Sequence, residues 1–190
     1  MSRSFVTLRE AALDDAPGIA GLWAEHLRRA DRAGQLDDVR RLIAEASVSP
    51  EMRIIVAEYD GRFAGAVYVR VATLSPINFE PAVQVLVPSV VPEWRRKGVG
   101  RQLMEAATAF AEQRGAAHLV TAAESGSRDG NRFMARLGFG PNAVYRVAPT
   151  QVVRAKLAAL LPAARRPAGR APLGQVLAAR RSMRRSQAVG

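Results

Sequence analysis

Cysteine is absent from the 190 residues, and histidine occurs only twice, as His26 and His118. Without cysteine the chain can form no disulfide, no thiolate metal site and no cysteine nucleophile. Two histidines are also too few for a histidine-rich metal site. The sequence therefore predicts chemistry that uses no metal ion and no soft ligand.

Long hydrophobic runs are missing as well. No stretch approaches the roughly 18 uninterrupted apolar residues that a membrane-spanning helix needs. The first residues also reach acidic side chains before an apolar signal core could form. Because 190 residues with 48% hydrophobic composition suit one ordinary domain, we expect a soluble, cytoplasmic protein with no membrane contact.

The net charge of +11 is concentrated at one end of the chain. Residues 151–190 hold nine cations and no acid, which leaves +2 for residues 1–150. We expect residues 1–149 to form the domain and residues 150–190 to form a basic helix or tail without an independent fold. Three roles stay open for the tail: a solubilising segment, a helix packed on the sheet or on a second subunit, and an arm that touches RNA or the ribosome through phosphates.

Strand and helix patterns alternate along residues 5–137. Strands are expected at residues 5–11, 53–59, 62–73, 82–91 and 118–123. Helices are expected after Asp14 with an apolar stripe as far as Leu27, at 36–46, at 99–110 and at 131–137. Asp60-Gly61 marks a tight hairpin, and the proline-containing residues 75–81 read as a loop. This order of elements predicts an α/β fold, a mixed sheet with helices on both faces.

The segment VVPEWRRKGVGRQLMEAA, residues 90–107, joins a strand to an amphipathic helix. Such a turn leaves the first amide groups of the helix without partners, at the positive end of the helix dipole. Gly98 and Gly100 allow the backbone to approach a ligand closely. Four cations surround the turn: Arg95, Arg96, Lys97 and Arg101. The junction therefore predicts a phosphate-binding site.

Two well-known phosphate loops do not fit this segment. The motif G-x-x-x-x-G-K-[ST] is absent, and for G-x-G-x-x-G the third glycine would fall at Leu103. Residues 95–100, RRKGVG, instead match every fixed position of Q/R-x-x-G-x-G/A, with the strand-ending Val90-Val91-Pro92 ahead of them. This arrangement resembles the acyl-CoA loop of the GNAT superfamily of N-acetyltransferases. NRFMARLGF, residues 131–139, is similar to the signature of the family's last helix.

The resemblance covers residues 5–139 and implies a fold, a co-substrate and a reaction. The fold would be a mostly antiparallel sheet in which strands 4 and 5 splay apart. Backbone amides of residues 96–101 would hold the pyrophosphate of acetyl-CoA, and Val90 and Val91 would pair with its pantetheine arm. The full implied set is Val90, Val91, Arg95, Arg96, Lys97, Gly98, Val99, Gly100, Arg101 and Asn131. The acceptor would be a primary amine on a small molecule or peptide, attacking the thioester directly.

The sequence departs from the family pattern at the proton donor. The family's tyrosine, which protonates the departing thiolate, falls at Met134, which cannot donate a proton and is expected to pack in the core. The asparagine of the same motif falls at Ser127, with Asn131 as a substitute one turn from Met134. Water can protonate a coenzyme thiolate, so the departure does not exclude activity.

General acid and base residues are therefore candidates only. Glu80, before the fourth strand, and Glu124, just after the fifth, are the carboxylates nearest the expected pocket. Tyr145 follows the last helix and is a candidate replacement acid. His118 begins an apolar strand, so we expect it to be partly buried and structural.

Two functions are consistent with these residues. The first is an acetyl-CoA-dependent N-acetyltransferase. The alternative is a catalytically weak acyl-CoA-binding module whose basic tail contacts RNA or the ribosome. An acetyltransferase that acts on charged tRNA or on a ribosomal protein would combine both, and a homodimer remains open.

Overall fold

The computed structural model describes residues 5–122, 127–142 and 146–160. The chain divides into two compact units, Met1–Phe139 and Gly140–Gly190. In the first unit the strands are β1 Val6–Glu10, β2 Met52–Tyr59, β3 Arg62–Ser75, β4 Asn78–Val90 and β5 His118–Thr121. Its helices are α1 Ala16–Leu22, α2 Arg32–Val48, α3 Val99–Gln113 and α4 Arg128–Arg136. The second unit contributes α5, Thr150–Leu160, whose residues are exposed.

The five strands lie in one sheet in the order β1-β2-β3-β4-β5. All neighbours are antiparallel except β4 and β5, which run parallel because α3 carries the chain back between them. The hairpin predicted at Asp60-Gly61 is confirmed: Tyr59 pairs with Arg62. Both turn residues have positive φ, 50° and 75°, which is the type I′ geometry that suits the twist of a hairpin.

Helices cover both faces of the sheet, as the sequence predicts. Ile55 and Ala57 of β2 pack into a core with α3 and with Met134 of α4. Their alternate neighbours Ile54 and Val56 pack with α1 and α2 on the other face. Because successive side chains of a strand point to opposite faces, the continuous apolar run of β2 is what a strand buried on both sides requires.

The first two helices differ most from the sequence expectation, and smaller differences occur at α3, which runs to Gln113, and at α4, which begins at Arg128. The first helix ends at Leu22 rather than continuing to Leu27, since Gly18 and Gly21 weaken it and Trp23 closes it as the C-terminal cap. The second helix is longer than expected and begins after Asp31, whose side chain accepts a hydrogen bond from Gly34 N at 2.9 Å. That contact is N-capping by aspartate, which the sequence reading overlooked.

The proline-containing loop expected at 75–81 is also a correction. β3 runs to Ser75 and β4 resumes at Asn78, with Thr73 opposite Pro81. Pro81 is tolerated because β5 pairs with β4 only from Ala82 onwards, so the proline lies at an edge of the sheet. The two strands therefore form a hairpin that extends beyond their neighbours.

β3 and β4 approach each other unusually closely next to an irregularity in β4. Their register shifts between Ala66 and Tyr68, where Val87 has φ 45° and is followed by Pro88, which has no amide hydrogen. A bulge allows a proline within a strand because the pairing is already interrupted there. Beside it, a Cβ at Gly65 would lie 2.6 Å from the carbonyl oxygen of Ser89. Only glycine fits at position 65 without moving a strand.

One ion-pair network fixes β1 to the start of α1. Arg9 donates to both carboxylate oxygens of Asp15, at 2.6 and 2.8 Å, and to Glu58 at 2.7 Å. Asp15 also accepts a hydrogen bond from the amide of Ala12 at 2.8 Å. The hydrogen bond from Arg9 is the main reason why the pKa of Asp15 lies below its usual value of 3.8.

Replacing Gly65 with alanine is expected to lower the free energy of unfolding by about 1–3 kcal/mol, because the added Cβ overpacks the contact with β4. Urea denaturation measures this change. Gly21→Ala is the matched control: it lies on the exposed side of α1, where an added Cβ meets nothing within 4 Å. It should raise stability by up to about 1 kcal/mol. Equal losses in both variants would contradict the close approach of the two strands.

Asp15→Asn is expected to destabilise the protein in a pH-dependent way. Because the folded pKa of Asp15 is lowered, its stabilising contribution is complete above the unfolded value of 3.8 and is lost as the pH falls through the folded value. The difference from wild type should be roughly 1 kcal/mol near neutral pH and should shrink at more acid pH. Urea denaturation at a series of pH values measures it; a constant difference would show that the carboxylate charge is not involved.

Candidate functional site

The junction between β4 and α3 is a short loop with alternating backbone conformation. After the 3-10 turn Pro92–Trp94, Arg95 is extended with φ −63°. Arg96 and Gly98 are left-handed, with φ 61° and 88°, on either side of Lys97. Backbone that alternates in this way turns successive amide groups into a common concavity that attracts anions. Gly98 is also the residue that begins α3.

The amide groups of residues 96–101 have no acceptor within the described parts of the chain. The first hydrogen bond of α3 runs from Gln102 N to the carbonyl oxygen of Gly98, at 3.1 Å. The unpaired amides therefore lie at the positive end of a fifteen-residue helix dipole. They form a cradle for an anion such as phosphate.

Glycine leaves the cradle open. A Cβ at Gly98 would meet nothing within 4 Å, so its place is free for a ligand. A Cβ at Gly100 would lie 3.6 Å from Phe133 and 3.6 Å from Val90, which is ordinary contact. Phe133 of α4 thus forms one wall beside the helix start. Sequence reasoning did not single it out, since nothing local shows that α4 packs against the beginning of α3.

The four cations of the loop are not equivalent. Arg95 Nε donates to the carbonyl oxygen of Val90 at 3.3 Å. Lys97 Nζ stands 4.5 Å from the ring centre of Trp94 and 5.0 Å from that of Tyr59. Arg101 forms an ion pair with Glu105 at 2.9 Å. Arg96 has no such partner among the described residues and is exposed.

The gap between β4 and β5 opens past Val85 and extends along β4 towards this loop. β5 pairs with β4 only from Ala82 to Val85 and ends at Thr121, whose hydroxyl donates to the carbonyl oxygen of Val85 at 2.8 Å. From Leu86 to Val90, β4 has pairing only with β3 among the described residues. The described part of β5 therefore leaves this stretch of β4 without a second strand partner, as the expected splay requires.

Val90 and Val91 face opposite sides of β4. The amide of Val91 donates to Ala64 in β3 at 2.9 Å, and its carbonyl accepts from Trp94 N at 2.9 Å. Because hydrogen-bonding direction alternates along a strand, the backbone groups of Val90 point to the other side, towards the gap. Among the described residues the amide of Val90 has no acceptor, whereas the amide of Val91 is paired within the sheet.

Of the candidate acid and base residues, the structure describes only Glu80. It lies within β4 rather than in a loop, and its carboxylate is 3.3 Å from His118 Nε2. Five residues of strand, roughly 17 Å, separate it from Val85, where the gap begins. His118 is exposed, which corrects the expectation of a partly buried histidine. Glu124 and Tyr145 lie outside the described residues.

In and next to α4, the residues at the positions that depart from the family pattern have structural roles. Met134 is 9% exposed and packs into the core on the α3 face, so its expected packing role is confirmed. Ser127 caps the helix by accepting from Gly130 N at 3.2 Å. Asn131 Nδ2 donates to the carbonyl oxygen of Ser127 at 2.7 Å. Both polar residues therefore stabilise the start of α4.

A cleft of about 530 Å³ runs along the outer side of α3, between Arg101 and His118. Two of its lining residues already have ion-pair partners: Arg101 pairs with Glu105, and His118 pairs with Glu80. Within residues 5–122, 127–142 and 146–160, no three His, Asp or Glu side chains form a metal-binding group. No helix in those same ranges is long and apolar enough to cross a membrane. The loop and the gap beside it are therefore the candidate site.

The sequence profile of the "Acetyltransferase (GNAT) family" matches residues 19–139. The chain is also 27% identical, over 134 residues, to "Uncharacterized N-acetyltransferase YhfO" of Bacillus subtilis (strain 168). That match covers 70% of this chain and 89% of the relative.

Solved structures show the same fold. The aminoglycoside N-acetyltransferase AAC(6')-Iy in complex with CoA is 16% identical and has a TM-score of 0.65, covering 79% of this chain and 97% of that one. A ribosomal-protein-alanine N-acetyltransferase from Brucella melitensis biovar Abortus 2308 is 22% identical with a TM-score of 0.58, covering 76% and 99%.

Proposed function

This chain belongs to the GNAT family of acetyltransferases and is an acetyl-CoA-dependent acyltransferase; we propose that it transfers the acetyl group directly to a primary amine while both substrates are bound. The observation that carries the proposal is the row of unpaired amides at residues 96–101, beside the gap where β4 leaves β5. The amides and the gap lie next to each other. A ligand with a phosphate group at one end and an extended arm requires this arrangement.

The backbone amides and the cations of the cradle support its assignment to the pyrophosphate of the co-substrate. Its donors are backbone amides, which keep their position whatever the side chains do. Gly98 leaves free the space that a Cβ would fill. The cations of the loop add attraction for a negatively charged group, most strongly where solvent screening is weak. Residues 96–101 are thus the proposed pyrophosphate ligands.

The gap beside β4 suits the pantetheine arm. Val90 turns its backbone groups towards this gap, so it can pair with an amide of the arm as a neighbouring strand would. Val91, which the family resemblance also implies, already uses its amide within the sheet. Asn131, at the start of α4, stays a proposed contact of the co-substrate.

Bound acetyl-CoA supplies the acetyl group as a thioester, which an amine can attack without a covalent intermediate on the protein. The attacking nitrogen must lose a proton, and the leaving thiolate must gain one. Glu124, which follows β5 in the sequence, is the proposed base, and Tyr145 or water is the proposed acid. Glu80 is less suited as a base because it lies far along β4 from the gap.

The proposed acceptor is a primary amine on a small molecule or a peptide. The two named structural neighbours take acceptors of both kinds, an aminoglycoside and a ribosomal protein. The nine cations of residues 151–190 favour an acceptor associated with RNA or the ribosome. A catalytically weak binding module remains the alternative, and it differs from the enzyme in releasing no thiol with any amine.

Calorimetric titration of acetyl-CoA into the protein is expected to show roughly micromolar binding. Changing Gly98 and Gly100 together to valine should abolish it, because the side chains fill the cradle. Gly115→Ala is the matched control, since Gly115 has φ 64° at the other end of α3 and its replacement introduces similar backbone strain. This control should bind as wild type does. If the wild-type protein does not bind acetyl-CoA, the proposal is wrong.

Glu124→Gln is expected to lower kcat/KM for an amine acceptor by roughly 100-fold or more. Glu80→Gln should change kcat/KM little, given its distance from the gap. Release of the CoA thiol, followed by a colorimetric reagent, measures both. The reverse pattern would assign the base to Glu80.

A further inference from the structure

Five side chains from three segments meet on the β3 side of the phosphate loop. Tyr59 and Arg62 flank the β2–β3 turn, Glu93 and Trp94 belong to the 3-10 turn, and Lys97 lies in the loop. The rings of Tyr59 and Trp94 stack with centres 4.7 Å apart. Arg62 lies 5.1 Å from the Trp94 ring centre and forms an ion pair with Glu93 at 3.2 Å. The end of the β2–β3 hairpin thus packs against the segment that leads into the loop.

The charge of Lys97 is held by these rings. Its ammonium is 4.5 Å from one ring centre and 5.0 Å from the other, while the rings are 4.7 Å apart. The three centres form a nearly equilateral triangle, so the ammonium interacts with both rings at once. A cation–π contact of this kind attracts the ammonium electrostatically to the faces of the rings. Lys97 is therefore fixed sideways against the hairpin end.

Arg96 lies between two anchored neighbours. On one side Arg95 is tied to the carbonyl oxygen of Val90, and on the other Lys97 is tied to the ring pair. Arg96 itself has φ 61°, a left-handed conformation that is unfavourable for a non-glycine residue. Such strain persists only where the surroundings determine the conformation. Here the contacts of Arg95 and Lys97 hold Arg96 in its left-handed conformation.

We propose that Tyr59, Trp94 and Lys97 are positioning residues that hold the phosphate loop in its binding conformation, and that Arg96 is the loop cation which contacts the phosphate itself. This inference rests on the proposed function, since it concerns the same loop. The two cations then have different roles. Lys97 holds the loop in place through its contacts with the rings. Arg96 is exposed and has no ion-pair partner among the described residues, and it contacts the ligand.

The test is a double-mutant cycle on acetyl-CoA affinity, measured by calorimetry with the full chain. Lys97→Met keeps the length of the side chain but removes the charge, and should weaken binding about 2- to 30-fold. In a Trp94→Leu background the same change should have less than half of that effect on log Kd, because its partner is already gone. Arg96→Met should weaken binding by the same factor in both backgrounds.

Trp94→Phe, which keeps a ring, should restore most of the affinity lost in Trp94→Leu. Arg114→Met is the matched control: it removes a cation–π contact of similar geometry, 5.3 Å from the Phe110 ring centre, at the far end of α3. This control should lower Tm without changing the affinity.

Three results would overturn the inference. An undiminished effect of Lys97→Met in the Trp94→Leu background would show that Lys97 contacts the ligand directly. A fall in Tm without a change in affinity at Trp94 and Lys97 would show that the ring cluster is only structural. If the wild-type protein does not bind acetyl-CoA, the proposed function and this inference are both overturned. If the wild-type protein binds and the variants bind with the same affinity, only the inference is overturned.

Discussion

β4 pairs with β3 along almost its whole length, but with β5 over only four residues, Ala82 to Val85. The rest of the site depends on this unequal pairing. Past Val85, no strand among the described residues pairs with this edge of β4, and the bulge at Val87 and Pro88 interrupts the regular pairing with β3. Ten residues further on, the same chain enters the phosphate loop. The open edge and the cradle are therefore parts of one continuous segment.

Backbone groups supply most of the chemistry of this segment. Main-chain amides of the loop and of β4 are fixed by the sheet and by α3, whose apolar residues Val99, Leu103 and Phe110 are fully buried. Side-chain cations add charge around them, but most of these have partners inside the protein. A site built in this way needs few specific side chains, which agrees with low sequence identity among proteins that share the fold.

Much of this arrangement could be predicted because its signals are local. Gly98 before an apolar helix, Asp60-Gly61 between two strands and the continuous apolar run of β2 each reflect neighbours within a few positions. The contacts of Lys97 could not be found in this way, since Tyr59 and Trp94 lie 35 residues apart and meet only through the sheet. The position of Glu80 was missed for a related reason: Pro81 suggests a loop, and only the extent of β5 shows that a proline can lie in the strand there.

The left-handed backbone at Arg96 has an evolutionary consequence. Glycine at this position would relieve the conformational strain, so arginine keeps the fold less stable than it could be by about 1–2 kcal/mol. Proteins commonly accept such a deficit where activity benefits from it. Under the role proposed for Arg96, selection for heat resistance alone would favour glycine at position 96, whereas selection for tight co-substrate capture would favour arginine.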